Sequence, residues 1–193
     1  MTDAHRVRCE PIDTFDRGST WTLVSGVLDR DCIDTAAHWD DAVAAGRRAL
    51  ATELVATAEA ILELATAHLA TRTQFGHPIG SFQAPRHALA GAFAELEGAR
   101  ALTSEAWRDG GDFAAVVAKS AAGQAHRAVG EAAMQVCGAI GMTAEHDLHR
   151  HVARGVQIDA LLGSHLQLEP AIADHLLDAD EPDGALPTVV ACG

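Results

Sequence analysis

The residues with the clearest chemistry form one string, Arg72 to Gln83, which spells Arg-Thr-Gln-Phe-Gly-His-Pro-Ile-Gly-Ser-Phe-Gln. An arginine ends one predicted helix, a Gly/Pro turn follows, and Gln83 lies in the first turn of the next helix. Free N–H groups at that helix start, together with a fixed guanidinium, suit a phosphate or pyrophosphate. An ordinary helix hairpin with a surface arginine explains the same pattern. On physical grounds alone the hairpin is favoured, and the string is only a candidate anion site.

A second string, Gln135 to Met142, joins a predicted helix to the segment that follows it. Gly138 is placed to end the helix in the left-handed region, and a glycine there lets a ligand approach the backbone. The Gly-x-x-Gly spacing that starts at Gly138 has little specificity by itself. A histidine-rich run follows, in which His146 and His149 could face one metal ion from the same side of a helix.

Apolar residues at three- and four-residue steps predict that helices position both strings. The clearest stripe begins after about Asp41 and comprises Leu50, Leu54, Ala58, Ile61, Ala65 and Leu69. Further helices are predicted over about Phe82–Arg108, Phe113–Cys137, Glu145–Arg154 and Ser164–Leu177. Long helices with short connections indicate an all-α fold, an antiparallel helical bundle.

The first 40 residues differ from the rest of the chain. They contain short β-like runs at 20–24 and 27–28, separated by turn residues. One or two strands bury too little apolar surface to fold alone. We therefore divide the chain into a short N-terminal β remnant (1–40), a helical bundle (41–180) and a loose tail (181–193).

Composition excludes several classes of function. The 193 residues have a net charge of −13, which argues against a nucleic-acid partner, because such proteins present a basic face. We expect no membrane span, since no stretch approaches about 20 apolar residues. The N-terminus lacks the apolar core of a signal peptide, and the four cysteines have neither CxxC nor metal-ligand spacing. These features predict a cytoplasmic protein with free thiols.

Taken together, the two strings resemble the C-terminal helical domain of the acyl-CoA dehydrogenase family. The likeness covers about residues 40–180, and residues 1–40 resemble the end of that family's middle β-domain. It implies α,β-dehydrogenation of an acyl-CoA thioester, in which a carboxylate removes the α-proton and a flavin accepts the β-hydride. The histidine-rich run is also part of the usual family pattern, so we expect no metal site.

The resemblance further implies an FAD site shared between subunits. In the family, the arginine, phenylalanine and glutamine of the first string, with a Gln-x-x-Gly-Gly string, hold the pyrophosphate and adenosine end of a neighbouring subunit's FAD. The matching positions here are Arg72, Phe75, Gln83, Gln135, Gly138 and Ala139. Ala139 stands where a second glycine is usual, which leaves less room for the backbone to approach a ligand.

Both positions at which the family carries its catalytic base lack a carboxylate in this chain. The glutamate of the usual Glu-Gly-Thr string corresponds to Leu162, and the alternative position on the first bundle helix corresponds to Gly46. Leu166 also replaces a glutamine that helps to bind the chain's own flavin. Residues that serve a neighbour's flavin therefore remain, whereas residues for a site of the chain's own are lost.

This asymmetry resembles the non-catalytic subunits of heteromeric, steroid-type acyl-CoA dehydrogenases of actinobacteria. It implies a full-length catalytic acyl-CoA dehydrogenase subunit as partner, an FAD shared with that subunit, and an acyl-CoA substrate in the complex, with a steroid side chain as one candidate acyl group. Two other hypotheses remain open. One is a flavin-free structural bundle. The other is an acyl-CoA-binding protein with a non-redox activity, for which His165 is the candidate acid–base residue.

Overall fold

The computed structural model describes residues 7–14, 19–27 and 38–178, so the predicted tail at 181–193 lies outside the described residues. Two short strands come first, β1 (Val7–Ile12) and β2 (Trp21–Gly26). The five α-helices that follow are α1 (Trp39–Thr71), α2 (Gln83–Asp109), α3 (Asp112–Cys137), α4 (Leu148–Asp159) and α5 (His165–Asp178). This architecture confirms the predicted all-α class.

Helix α3 lies at the centre of the bundle and packs against each of the other four helices. Much of its buried face is alanine, including Ala118 and Ala122, which are fully buried. Small side chains there allow the helix backbones to approach closely, and Leu54, Ile61 and Leu96 fill the remaining space. Each such aliphatic side chain contributes about 1.5–3 kcal/mol of hydrophobic stabilisation. The predicted stripe of α1 faces this core, with Leu50 partly buried at its edge.

Helix α1 is 33 residues long and, among the described residues, is the one helix long and apolar enough to cross a membrane. This length and composition exceed what the sequence had led us to expect. Core helices of globular bundles meet the same criterion. Eight residues of α1 are buried, and the helix packs against α2, α3 and α4, so in this structure it is a core element of the bundle.

The predicted boundaries of α4 were wrong. The helix begins at Leu148 rather than Glu145 and continues to Asp159. In the preceding turn, the His146 N–H donates to the Thr143 carbonyl (3.2 Å), and Nδ1 of His149 lies 2.7 Å from the His146 carbonyl. These local hydrogen bonds compete with the helical ones and delay the start of α4.

Strands β1 and β2 form an antiparallel hairpin in which Ile12 lies opposite Trp21. The run predicted at 20–24 contributes most of β2, whereas β1 was not predicted, because its six residues mix apolar and charged side chains with a proline. Val27 lies outside the strand, and Leu28 lies outside the described residues. The origin of this hairpin as a β-domain remnant stays a prediction.

Candidate functional site

The first predicted string forms a small hairpin between α1 and α2. Strand β3 (Thr73–Gln74) pairs with β4 (His77–Pro78), and the turn residues Phe75 and Gly76 have φ values of 53° and 78°. Two successive positive φ values match the twist of a two-residue hairpin. A residue other than glycine adopts this region only at some cost. The fold therefore holds Phe75 at the hairpin tip in an unfavourable backbone conformation.

Three of the predicted cofactor contacts lie exposed at this hairpin or next to it. Phe75 is 89% exposed, and its ring meets that of Phe82 edge to face, with 6.2 Å between centroids. Arg72 follows α1 directly and is exposed, and its carbonyl accepts the Ile79 N–H at 2.8 Å. Gln83 is the first residue of α2 and is also exposed. An aromatic ring, a guanidinium and an amide are thus all exposed between the end of α1 and the start of α2, and we call this exposed segment the hairpin surface.

The start of α2 fits a diphosphate. Its N-cap residue, Phe82, makes no side-chain capping hydrogen bond, so the partial positive charge of the helix N-terminus is not offset by a cap. The exposed Arg72, which precedes the hairpin that leads into α2, carries a full positive charge. Together these groups suit the pyrophosphate of a dinucleotide such as FAD.

A groove of about 380 Å³ lies between the end of α1 and the start of α2. Its wall is largely apolar, with Leu69, Leu89 and Pro78, and Arg86 is its one charged residue. The turn packs tightly here, because a Cβ added to Gly80 would lie 3.0 Å from the Leu69 carbonyl oxygen. An apolar groove edged by a cation suits a flat heteroaromatic group next to a phosphate.

The second predicted string lies at the end of α3. Gln135, Gly138 and Ala139 are exposed, and Gly138 has φ 63° and ψ −147°. The predicted positive φ is present, but this ψ value lies outside the left-handed helical region that we had expected. Such a conformation is essentially restricted to glycine. An added Cβ would meet nothing within 4 Å, so backbone conformation rather than crowding requires glycine there.

The two strings meet at one end of the bundle. His68 lies four residues before Arg72, and Cys137 immediately precedes Gly138. A ring nitrogen of His68 lies within 4.8 Å of the Cys137 sulfur. The structure therefore brings the predicted cofactor contacts of both strings to neighbouring positions, although their role in binding FAD stays a prediction.

The two predicted base positions are in direct contact. A Cβ added to Gly46 would lie 2.5 Å from Cδ1 of Leu162, so the leucine side chain fills the space that a side chain at position 46 would need. Leu162 has a φ of 55°, and its carbonyl accepts a hydrogen bond from Nε of Arg47 at 3.0 Å. Neither side chain can accept a proton, and the Leu162 side chain occupies the space next to Gly46.

A buried polar network that the sequence did not predict lies behind the Leu162 turn. Lys119 is fully buried, and its Nζ donates to the Asp159 carbonyl (2.9 Å), to Asp159 Oδ1 (3.1 Å) and to the Gly163 carbonyl (3.2 Å). Burial lowers the pKa of Lys119, while the Asp159 carboxylate opposes that shift. A lone lysine within the apolar pattern of α3 was the signal that could have revealed this network.

His165 completes the same network and does not lie in an open pocket. Its backbone N–H donates to Asp159 Oδ1 at 3.2 Å, and its Nδ1 lies 2.7 Å from Asp159 Oδ2. The residue is only 8% exposed, and its Nε2 is buried without a hydrogen-bond partner. This placement gives the non-redox hypothesis no accessible acid–base group at His165.

Comparison with known proteins identifies the family. A family model described as the acyl-CoA dehydrogenase C-terminal domain matches residues 40–163. The chain belongs to the acyl-CoA dehydrogenase family. It is similar to the acyl-CoA dehydrogenases IpdE2 of Mycolicibacterium smegmatis (36% identity over 114 residues, covering 59% of this chain and 37% of that protein) and FadE34 of Mycobacterium tuberculosis (38% identity over 121 residues, 59% and 17%).

Solved structures agree with this assignment. The Tcur3481-Tcur3483 steroid ACAD, in a glycine-to-alanine variant, superposes with a TM-score of 0.79 at 27% identity, covering 89% of this chain and 49% of that chain. The present chain therefore spans about half of that acyl-CoA dehydrogenase chain. It spans less than half of the length of IpdE2 and of FadE34. Members of the family generally use FAD. The assignment of substrate-binding and cofactor-binding residues in this chain is a proposal.

Proposed function

We propose that this acyl-CoA dehydrogenase domain is a non-catalytic subunit that completes the FAD site of a catalytic partner. The observation that supports the proposal is an asymmetry between two surfaces. The hairpin surface presents Arg72, Phe75 and Gln83 outward, ready for a ligand held by another chain. At the predicted base positions, Gly46 and Leu162 instead contact each other and leave no proton acceptor.

In the complex, the FAD would supply the hydride acceptor. The guanidinium of Arg72 would pair with the pyrophosphate, and the amide of Gln83 would donate a hydrogen bond beside it. The ring of Phe75 would cover the adenosine end and exclude water. Gln135 and the backbone at Gly138 would approach the same group from α3. Each of these roles binds or orients the cofactor and leaves proton abstraction to the partner.

The proposed substrate rests on analogy with one structural relative. Because that relative is a steroid ACAD, we infer a large CoA thioester, with a steroid side chain as the candidate acyl group. We propose a cytoplasmic location for this reaction, as the sequence features of the chain had predicted. The partner would be a full-length acyl-CoA dehydrogenase that contributes its own β-domain and base.

The first test is co-expression with a full-length acyl-CoA dehydrogenase from the same genomic neighbourhood, followed by size exclusion with flavin absorbance. We expect a yellow complex that contains both chains, and no yellow colour in this chain alone. A colourless homo-oligomer that forms no complex with any candidate partner would support the flavin-free structural bundle instead.

A matched pair of arginine variants tests the role of the hairpin surface. We expect Arg72→Ala to weaken FAD retention in the complex by about tenfold or more, because a charge-assisted hydrogen bond contributes about 1.5–3 kcal/mol. Arg108→Ala is the control. Arg108 is exposed in the last turn of α2, roughly 40 Å along that helix from Gln83. Equal FAD stoichiometry in both variants would contradict the proposed role of Arg72.

A further inference from the structure

Three side chains with nitrogen and sulfur donor atoms meet at the end of the bundle that carries the hairpin surface. His68 lies in the last turn of α1, Cys137 is the last residue of α3, and His146 lies in the turn before α4. One donor atom of each residue lies within 4.8 Å of the other two. Within the part of the chain that the structure describes, this is the one such group of histidine, cysteine and acidic residues.

The fold holds these three side chains in place from different elements. Cys137 is only 7% exposed. The backbone of His146 is fixed on both sides, by its N–H bond to Thr143 and by the ring of His149 at its carbonyl. The rings of His68 and His146 meet edge to face, with 6.3 Å between centroids. The donors are therefore gathered by the packing of three separate segments rather than by one flexible loop.

The protonation states are suited to a cation. Burial lowers the pKa of His68, and the nearby His146 and Arg72 lower it further, so its imidazole is neutral at pH 7 and has a free lone pair. Burial raises the pKa of Cys137, so the thiol keeps its proton in the absence of a cation. A bound divalent ion would stabilise the thiolate, and the thiol proton would pass to solvent.

We propose that His68, Cys137 and His146 bind one zinc ion or a similar late first-row metal ion, with a fourth coordination position open to solvent. Two imidazoles and one thiolate are ligands for zinc, whereas magnesium and calcium prefer oxygen. Zinc–nitrogen bonds of about 2.0–2.1 Å and a zinc–sulfur bond of about 2.3 Å bring tetrahedral donors to roughly 3.3–3.6 Å from one another. Movements of the donor atoms by about 1 Å, through side-chain rotation, would bring them from their present separations of up to 4.8 Å to these distances.

Binding has one identifiable local cost. Nδ1 of His146 accepts the Leu148 N–H at 3.2 Å. Coordination through Nδ1 displaces that donor, and coordination through Nε2 puts the ring proton on Nδ1. Either way this long hydrogen bond is lost and the metal–nitrogen bond replaces it.

This group differs from the pair that the sequence brought to attention, His146 and His149, in which only His146 is retained. Nδ1 of His149 lies 2.7 Å from the His146 carbonyl, so the His149 ring takes part in a different contact. The ion would cross-link the last turns of α1 and α3 with the turn before α4. It would thereby tie together the two segments that carry the hairpin surface and Gly138, whether or not FAD binds there.

Cobalt titration of the full, chelator-treated chain tests the site directly. We expect one equivalent of Co²⁺ to give a thiolate-to-cobalt charge-transfer band, which Cys137→Ser abolishes. His68→Ala and His146→Ala should each weaken binding by at least about tenfold, because even outer-shell substitutions have effects of that size. The controls are Cys9→Ser and His87→Ala, which change exposed residues and should leave the band and the affinity unchanged.

Three results would overturn the proposal. The first is the absence of a charge-transfer band in the wild-type chain, and the second is a band that persists in Cys137→Ser. The third is equal cobalt affinity in His68→Ala, His146→Ala and His87→Ala. Circular dichroism of each variant checks folding, and if Cys137→Ser does not fold, the comparison of His68→Ala with His87→Ala decides.

Discussion

At the scale of single residues, Lys119 shows how this bundle accommodates a fully buried charge. An ammonium group has three N–H donors, and all three find an oxygen on Asp159 or Gly163. The Asp159 carboxylate also accepts hydrogen bonds from His165. Burying two charges is costly, and here the loss of hydration is offset by hydrogen bonds to both partners.

We expect Lys119→Met to lower the free energy of unfolding by about 3–5 kcal/mol, because it leaves the Asp159 carboxylate buried without its cation. Urea denaturation followed by circular dichroism measures the change. Arg127→Met is the matched control, since Arg127 is exposed and pairs with Glu131 one helical turn away; its effect should stay within about 0.5 kcal/mol. An equal decrease in the free energy of unfolding in both variants would show that the buried Lys119–Asp159 pair contributes no more to stability than an exposed ion pair.

Buried histidine predicts a loss of stability in acid. Burial lowers the pKa of His126, and this effect outweighs the His151 carbonyl and the Asp159 carboxylate, which favour the protonated form. The unfolded chain takes up the proton near pH 6.5 and the folded chain only at lower pH. Stability should therefore fall as the pH drops below about 6.5, until the folded pKa is passed. His68, whose pKa is also lowered, adds in the same direction.

Thermal melts between pH 7.5 and 5.5 measure this dependence. His126→Gln, which retains a donor for the His151 carbonyl, should make the melting temperature less sensitive to pH than it is in the wild-type chain. His87→Gln, at an exposed position, should leave the slope as it was. A slope that is unchanged in His126→Gln would assign the acid sensitivity to other groups.

At the scale of the elements, the contact between α3 and α4 depends on a glycine. A Cβ added to Gly155 would lie 1.9 Å from Nε2 of His126, a ring that is 97% buried. We expect Gly155→Ala to destabilise the fold by about 1–3 kcal/mol, because the ring cannot move away without disturbing the core. Gly98→Ala on α2 is the control. Nothing lies within 4 Å of its added Cβ, so it should stabilise by about 0.5–1 kcal/mol.

The three long helices could be predicted to within about two residues. Their apolar stripes repeat over many turns, and Gly/Pro or Gly-Gly turns separate them. The start of α4 could not be predicted, because the hydrogen bonds of His146 and His149 with nearby backbone compete with the helix. The spacing of apolar residues reveals long amphipathic helices, but it does not reveal local hydrogen bonds that compete with the start of a helix.

The parts of the candidate site that were missed are those formed by distant residues. Lys119 meets its oxygen acceptors 40 and 44 residues along the chain. The grouping of His68 with Cys137 likewise depends on the packing of helix ends. The contact between Gly46 and Leu162 could not be anticipated, because sequence spacing alone does not place α1 beside the loop before α5. The residues of the hairpin surface could be named from the sequence because they lie within one string of twelve residues, Arg72 to Gln83.

At the scale of the whole molecule, several large apolar side chains are exposed. They include Leu23, Val24, Trp39, Phe75, Phe93 and Trp107, which are between 50% and 89% exposed. Exposed apolar side chains in β2 and along the helices are typical of surfaces that other protein covers, which agrees with the proposed subunit role. The chain spans about half of the steroid ACAD chain on which it superposes.

The proposed subunit role predicts the result of introducing a carboxylate at position 162. In the co-expressed complex, we expect Leu162→Glu to leave kcat unchanged, because the new side chain would face Gly46 of its own chain and not the FAD site that the hairpin surface is proposed to complete. Leu162 is 39% exposed, so the substitution should be tolerated structurally. Steady-state dehydrogenation by the purified complex measures the effect. A clear rise in kcat would mean that this chain holds a flavin of its own.

The contact between Gly46 and Leu162 also couples these two positions energetically. A Cβ introduced at position 46 would lie 2.5 Å from Cδ1 of Leu162, so the leucine side chain would have to rotate towards the solvent that already reaches it. Shortening Leu162 removes that conflict in advance. The effects of substitutions at the two positions on the free energy of unfolding should therefore be non-additive, and a double-mutant cycle would measure the coupling between the first bundle helix and the turn before α5.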